Sequence, residues 1–372
     1  MTLRATLSQL RVSGNVPREL AMTAAHDSLA SVEPLDTARL DDGDAALGDD
    51  VVRVLGADGS LGREAFADDA VALLLYRRMV LARHMDERLV ALQREGRVAY
   101  HTSAIGEEAA VVGSAMALRD QDWLFPGSRD AAAALARGLS PLSYAHHVFG
   151  SGADAAKGRQ MPEHVTSRSA RIVSASPLLG TQLPHAVGLA WAAKGKDVVA
   201  LAYFGVAATF VGDFHNALNF AGVFRAPVVF VSRSSRDRRH AADSIAAKGV
   251  AYGVPGIEVD GSDPFAVYRE TLAAVKRAAA GEGATLIDAI VSTVPARDPI
   301  ARTRRALELR GLWNDVRQSA LVADVEAEVA AAIDAAESAP PPATTTLFDD
   351  TYAEPSWNLR EQRARYLANV KE

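Results

Sequence analysis

DVVALAYFG at 197–205, VGDFHNALNFAGVF at 211–224 and APVVFVS at 226–232 decide the fold. The first and third are apolar runs of strand length, the pattern of strands buried on both faces. The segment between them reads as a helix that carries the chain from one strand to the next. The same alternation extends outward. Upstream, IVSAS (172–176) reads as a short strand and TQLPHAVGLAWAAKG (181–195) as a helix stopped by glycine. Downstream come IEVDG (257–261), the helix PFAVYRETLAAVKRAAAG (264–281) and the strand ATLIDAIVS (284–292). Strands alternating with helices predict an α/β protein with a doubly wound parallel sheet covered on both faces.

Helical segments flank this unit. Residues 66–95 carry helical periodicity, with Leu73, Leu74, Met79, Val80, Met85, Leu89 and Leu92 toward one side and Gly96 as the stop. EEAAVVGSAMAL follows Gly106, Asp130–Phe149 is largely helical, and 300–339 reads as helix. VVRVLGADGSLG (51–62) predicts a hairpin turning at Asp58-Gly59. The expected organisation is an arm and hairpin over 1–60, an α/β domain over 61–338, and the proline linker APPPA with a tail over 339–372.

Composition narrows the function. The chain has 372 residues, 49% hydrophobic and 23% charged, which fits a globular protein and excludes a fibrous or disordered one. Forty basic residues against forty-six acidic give a net charge of -6, which argues against a nucleic-acid partner. There is no cysteine, so disulfides, zinc-thiolate sites and thiol nucleophiles are excluded. No apolar run approaches the roughly 20 residues of a membrane span. The start lacks the apolar core of a secretory signal. Its arginines and want of acids before Pro17 have some transit-peptide character, but acids soon become dense. The expectation is a cytoplasmic protein, or a mitochondrial matrix protein in a eukaryote.

Several features have plain readings. GSGADAAKG (150–158) is not a phosphate loop, because Ala156 stands where glycine must precede lysine. His146 and His147 are adjacent on a helix and face apart, which disfavours a shared metal. Arg129 beside Asp130 reads equally as a surface ion pair. Arg233, Arg236, Arg238 and Arg239 read as a solvated loop, or one facing an acidic partner. Asp213 suits the first turn of a helix.

YRRMVLARHMDERLVALQREGRVAYHTSAIGEEAAVVGSAMAL (76–118) resembles the amino-terminal half of the α subunit of the E1 component of 2-oxo acid dehydrogenases. GRQMPEH (158–164), SPLLGTQLPHAVGLAWAAK (176–194), GDFHNALNFAGVFRAPVVFV (212–231), GIEVDGSDPFAVY (256–268) and LFDDTY (347–352) continue it in family order. The likeness is greatest to the branched-chain, 2-oxoisovalerate type. The resemblance implies the thiamine-diphosphate-binding fold with helical extensions, and thiamine diphosphate held with Mg²⁺ at a subunit interface. It further implies an α2β2 partnership with a β chain and acyl transfer to an E2 core.

Carried over residue by residue, the resemblance assigns Arg129 to the diphosphate, beside Ser128 in place of the family's tyrosine. It assigns Leu178 to the pyrimidine, Gly205 to the turn after a strand, Arg233 to the next strand end, and Ser176, Thr181 and Gln182 to a potassium loop. His101 and His164 match loops near the active-site funnel. The metal positions depart from the family. Val206 stands where the acidic Mg²⁺ ligand belongs, Ala207 replaces the following glycine, Val211 replaces an acid, and Ser234-Ser235 replace an Asn-Asn pair. After ATLIDAIVS about two dozen residues of the family's catalytic loop are missing, and no histidine follows His240. The expected function is an E1-α-like subunit that keeps fold and subunit surfaces but is catalytically defective. The alternatives are an active thiamine-diphosphate enzyme and a regulatory or scaffolding partner of a true E1.

Overall fold

The structure is a computed structural model that describes residues 47–369 apart from 49, 57–58, 62–67, 236–239 and 293–296. Its centre is a five-stranded parallel sheet. The strands are β1 (Trp123–Phe125), β2 (Ala200–Gly205), β3 (Val228–Ser234), β4 (Gly256–Asp260) and β5 (Thr285–Ile290), in spatial order β1-β2-β3-β5-β4. The register sets Tyr203 beside Val231, and Gly205 beside Arg233, so these two strands end together.

Successive residues of each strand face opposite ways, so the apolar runs build two cores. Leu201, Tyr203, Val229, Val231 and Ile287 pack with residues of α1 (Asp69–Arg94), α2 (Glu108–Met116), α3 (Ala131–Ala136) and α4 (Pro141–Phe149). The opposite-facing Ala202, Phe204, Val228, Phe230 and Leu286 pack on α5 (Gln182–Ala192) and α6 (Gly212–Phe224). Gly222 lets α6 approach the 3-10 segment Ala246–Tyr252: a Cβ there would lie 1.9 Å from the carbonyl oxygen of Tyr252. Beyond the sheet centre lie α7 (Pro264–Ala279), α8 (Pro299–Leu309), α9 (Asp315–Ser338), α10 (Thr346–Asp349) and α11 (Trp357–Asn369).

The doubly wound parallel sheet is as the alternation predicts, and four details differ. IVSAS is not a strand; Ile172 makes only isolated bridges, to Leu124 and Ser167. The edge strand is instead Trp123–Phe125, too short for a periodicity reading to register. Leu74 faces outward, whereas Leu75, Tyr76 and Met79 are buried. The 300–339 stretch, read as one helix, is two, α8 and α9, broken at 310–314, while the tail after the proline linker is helical over much of its length, as the expected C-terminal extension is. Leu55 bridges Leu61 antiparallel, as a hairpin requires, while Asp58 of its turn lies outside the described residues. Val52 of the same segment bridges Val259 in parallel.

Asp263 holds that segment in place. Its buried carboxylate caps α7 by accepting from the amides of Phe265 (3.0 Å) and Ala266 (3.1 Å). Its other oxygen accepts from the amides of Val54 and Leu55, both at 2.6 Å. Asp263→Ala strands four N–H groups. Losing the cap costs about 1 kcal/mol, and each orphaned buried donor adds roughly 1–3 kcal/mol. Chemical denaturation of Asp263→Ala is expected to show a loss of about 3–5 kcal/mol, with Asp263→Asn milder; a loss below about 1 kcal/mol would show that the carboxylate does not organise this region.

Candidate functional site

The carboxyl ends of β1, β2 and β3 converge, and in a parallel α/β sheet ligands bind outside such ends. After β1 the chain turns through Pro126-Gly127-Ser128-Arg129. Arg129 lies in the left-handed region at φ 65°, an unusual conformation for a side chain larger than asparagine. Its guanidinium Nη1 stands 2.8 Å from Glu107 Oε1, which ties the turn to the start of α2.

Arg233 sits below this turn. Its side chain is only 3% exposed and lies in β3, so it belongs to the interior and not to a solvated loop. Nη1 lies 2.7 Å from Asp130 Oδ1 and 2.9 Å from Glu107 Oε2. The guanidinium also donates to the carbonyls of Ser128 (2.7 Å) and Arg129 (3.3 Å) and lies over the Tyr203 ring. Burial opposes the charge on Arg233, but Asp130 and Glu107 hold it protonated above the ordinary range. Asp130 accepts from the Gly127 amide at 2.5 Å. Burial pushes its carboxyl up to about 6, outweighing the opposing pull of Arg233. Thus Asp130 pairs with Arg233, and not with the neighbouring Arg129 as a surface pair would require.

The remaining candidates are spread around this cluster. Gln182 donates to the Tyr203 carbonyl at 2.7 Å, Thr181 donates to the Leu178 carbonyl, and the Ser176 hydroxyl accepts from the Leu178 amide. Thr181 precedes α5 without a side-chain cap, so these three groups serve the backbone of their own loop and of β2. Leu178 is 67% exposed. Gly205 has φ -111°, and a Cβ there would meet nothing within 4 Å, so the turn places no steric demand for glycine at that point. A 3-10 turn, Val206–Phe210, follows directly. Ser235 is exposed just beyond β3, and Arg236, Arg238 and Arg239 lie outside the described residues. His146 contacts Ser151, whereas His147 contacts Asp154, so the two rings diverge. His101 is buried against Asp86, and His164 lies half-buried at the end of the 158–164 segment.

The arrangement can offer Arg129, 38% exposed with one edge fixed by Glu107, to an anion. It does not suit a divalent cation. Mg²⁺ requires hard oxygen donors, whereas Val206, Ala207, Ala208 and Val211 line the turn after β2 with aliphatic side chains. Among the described residues no group of three His, Asp or Glu side chains is placed to hold a metal ion. Sequence reasoning did not single out Glu107, which two arginines share; the only signal was a pair of acids opening a helix.

A family model described as "Dehydrogenase E1 component" matches residues 76–294. The chain belongs to that family. It is 35% identical over 344 residues to the mitochondrial 2-oxoisovalerate dehydrogenase subunit alpha 2 of Arabidopsis thaliana, covering 83% of this chain and 73% of that one. It is 34% identical over 351 residues to the pyruvate dehydrogenase E1 component subunit alpha of Staphylococcus epidermidis, covering 85% and 92%. The same figures hold for the pyruvate dehydrogenase E1 component subunit alpha of Staphylococcus aureus. This dehydrogenase E1 chain is therefore an α-type subunit of a 2-oxo acid dehydrogenase. The branched-chain and pyruvate relatives stand at nearly equal identity.

The Asp130 environment has a consequence for stability. The native state holds this proton up to about pH 6, the unfolded chain only to about 3.8. Native protein therefore binds the extra proton between these values, and this group's contribution to stability grows as pH falls through that window and is lost again as pH rises through about 6. Denaturation of wild type and Asp130→Asn between pH 7 and 4 is expected to show wild type gaining on the variant by up to about 3 kcal/mol. A constant difference across that range would contradict the assignment.

Proposed function

We propose that this E1 α-type subunit retains the fold and the surfaces for a β-type chain, and has lost the divalent-ion cradle on which thiamine diphosphate chemistry depends. The carrying observation is the turn after β2, where Val206 and Val211 present methyl groups in place of oxygen donors. The shortened passage from β5 supports the same reading: only 291–298 separate Ile290 from Pro299, with 293–296 outside the described residues. The diphosphate-binding arginine persists as Arg129, but a hard cation bound beside it would find no charged ligand from the turn.

Partnership with a β chain, and through it an E2 core, is supported by large apolar side chains exposed on the 176–182 loop, the turn after β2, α5 and α6. Leu178, Leu179, Phe210, Trp191, Phe220 and Val223 are all exposed. Trp191 stacks on Phe224 with ring centroids 4.5 Å apart. A surface so apolar is more characteristic of a subunit contact than of a free face. The branched-chain type is the ancestry we favour, from the 176–182 loop, with residence in the cytoplasm or, in a eukaryote, the mitochondrial matrix. No described helix is long and apolar enough to cross a membrane.

Calorimetric titration of thiamine diphosphate with Mg²⁺, in the presence of a co-encoded β chain, tests the proposal. Wild type is expected to show no micromolar binding. The double variant Val206→Asp, Ser235→Asn restores two oxygen ligands and is expected to tighten binding at least tenfold. Micromolar binding and turnover by the wild-type assembly would instead establish an active enzyme.

A further inference from the structure

Beside Arg129 a small cavity opens between α1, α4 and the 101–104 segment. It offers about 20 Å³, room for about one water molecule. Leu89 and Leu135 give it apolar walls. Among its polar lining residues, Tyr144, His101 and Glu163 do not satisfy one another. Tyr144 is fully buried, and its hydroxyl has no hydrogen-bond partner among the described residues. His101 directs Nε2 to Asp86 Oδ1 at 3.0 Å. Asp86 also accepts from Ser103 Oγ (2.7 Å) and the Ala104 amide (3.0 Å), so the imidazole is held from behind. His101 Nδ1 is buried and makes no hydrogen bond. The nearest carboxylate oxygen recorded for it is Glu163 Oε1 at 3.6 Å, too far for a direct bond. Glu163 itself is anchored by the Thr102 amide.

Buried polar groups are seldom left unpaired, so a phenol, an imidazole nitrogen and a carboxyl around one small space specify what fills it. A methyl group would leave the Tyr144 hydroxyl and His101 Nδ1 unpaired. A carboxylate would confront Glu163 and Asp86, and Arg129, which also lines the cavity, is already paired with Glu107. An ammonium ion donates only, and would leave the phenol proton without an acceptor. A hydroxyl both accepts from Tyr144 and donates to His101 or Glu163. We propose that this cavity is a binding site for a single hydroxyl group, supplied by a water molecule or by a small alcohol that enters past Arg129. Bound there, the hydroxyl links α1, α4 and the 158–164 segment into one network. The site stands independently of cofactor binding.

Tyr144→Phe separates a satisfied hydroxyl from an orphaned one. Deleting an orphaned buried hydroxyl relieves its desolvation cost and raises the melting temperature; deleting one that holds a ligand lowers it. The expected result is a fall of about 1–4 °C. A high-resolution crystal structure is expected to show an oxygen peak within about 3.2 Å of Tyr144 Oη and His101 Nδ1. In crystals soaked with ethylene glycol, density extending to two carbons identifies an alcohol site, and an unchanged single peak a water site. A raised melting temperature for Tyr144→Phe, or no peak in either crystal, overturns the proposal.

Discussion

The buried guanidinium of Arg233 is the constraint on which the functional end of this protein depends. A cation in the interior persists only where carboxylates and carbonyls replace its lost hydration. Here Asp130, Glu107 and the carbonyls of Ser128 and Arg129 do so. Those partners come from the turn after β1 and the start of α2, so one side chain on β3 ties both segments to the sheet. The positive φ of Arg129 is held by the same cluster, since Glu107 bridges both arginines. Arg129 is thereby presented to solvent with its geometry already set, which suits it to an anion without further ordering.

The two halves of the site have diverged in character. The side built from β1, β3 and α2 is densely charged and internally neutralised. The side built from β2 and its following turn is largely aliphatic, with Val206, Ala207, Ala208 and Val211. Gly180 packs against this surface closely enough that a Cβ would lie 2.8 Å from Val211 Cγ2. The 176–181 loop therefore rests on valine in the described conformation.

How far the sequence disclosed this site depended on the range of the interactions involved. Val206 and Ser235 stand out in the sequence only through the family resemblance, which sets them at fixed offsets from a strand end. Arg233 was misread as solvated because strand and loop share a run of arginines, and nothing local marks where the sheet ends. Glu107 escaped notice because its role is to join two arginines 22 and 126 residues away along the chain. The edge strand at Trp123 was missed for a related reason: three residues cannot show a period, and pairing with Ala200–Ala202 is what makes them a strand.

By itself the sequence determined the alternation of strand and helix, the parallel sheet and the family, because hydrophobic periodicity and motif order are properties of neighbouring residues. It also determined that the turn after β2 carries Val206, Ala207, Ala208 and Val211. Only the tertiary structure decided that Asp130 serves Arg233 and not Arg129, that Gln182 faces the Tyr203 carbonyl, and that Tyr144, His101 and Glu163 surround one cavity. Those relations are set by which segments the fold brings within about 3 Å, where desolvation and hydrogen-bond geometry select the partner.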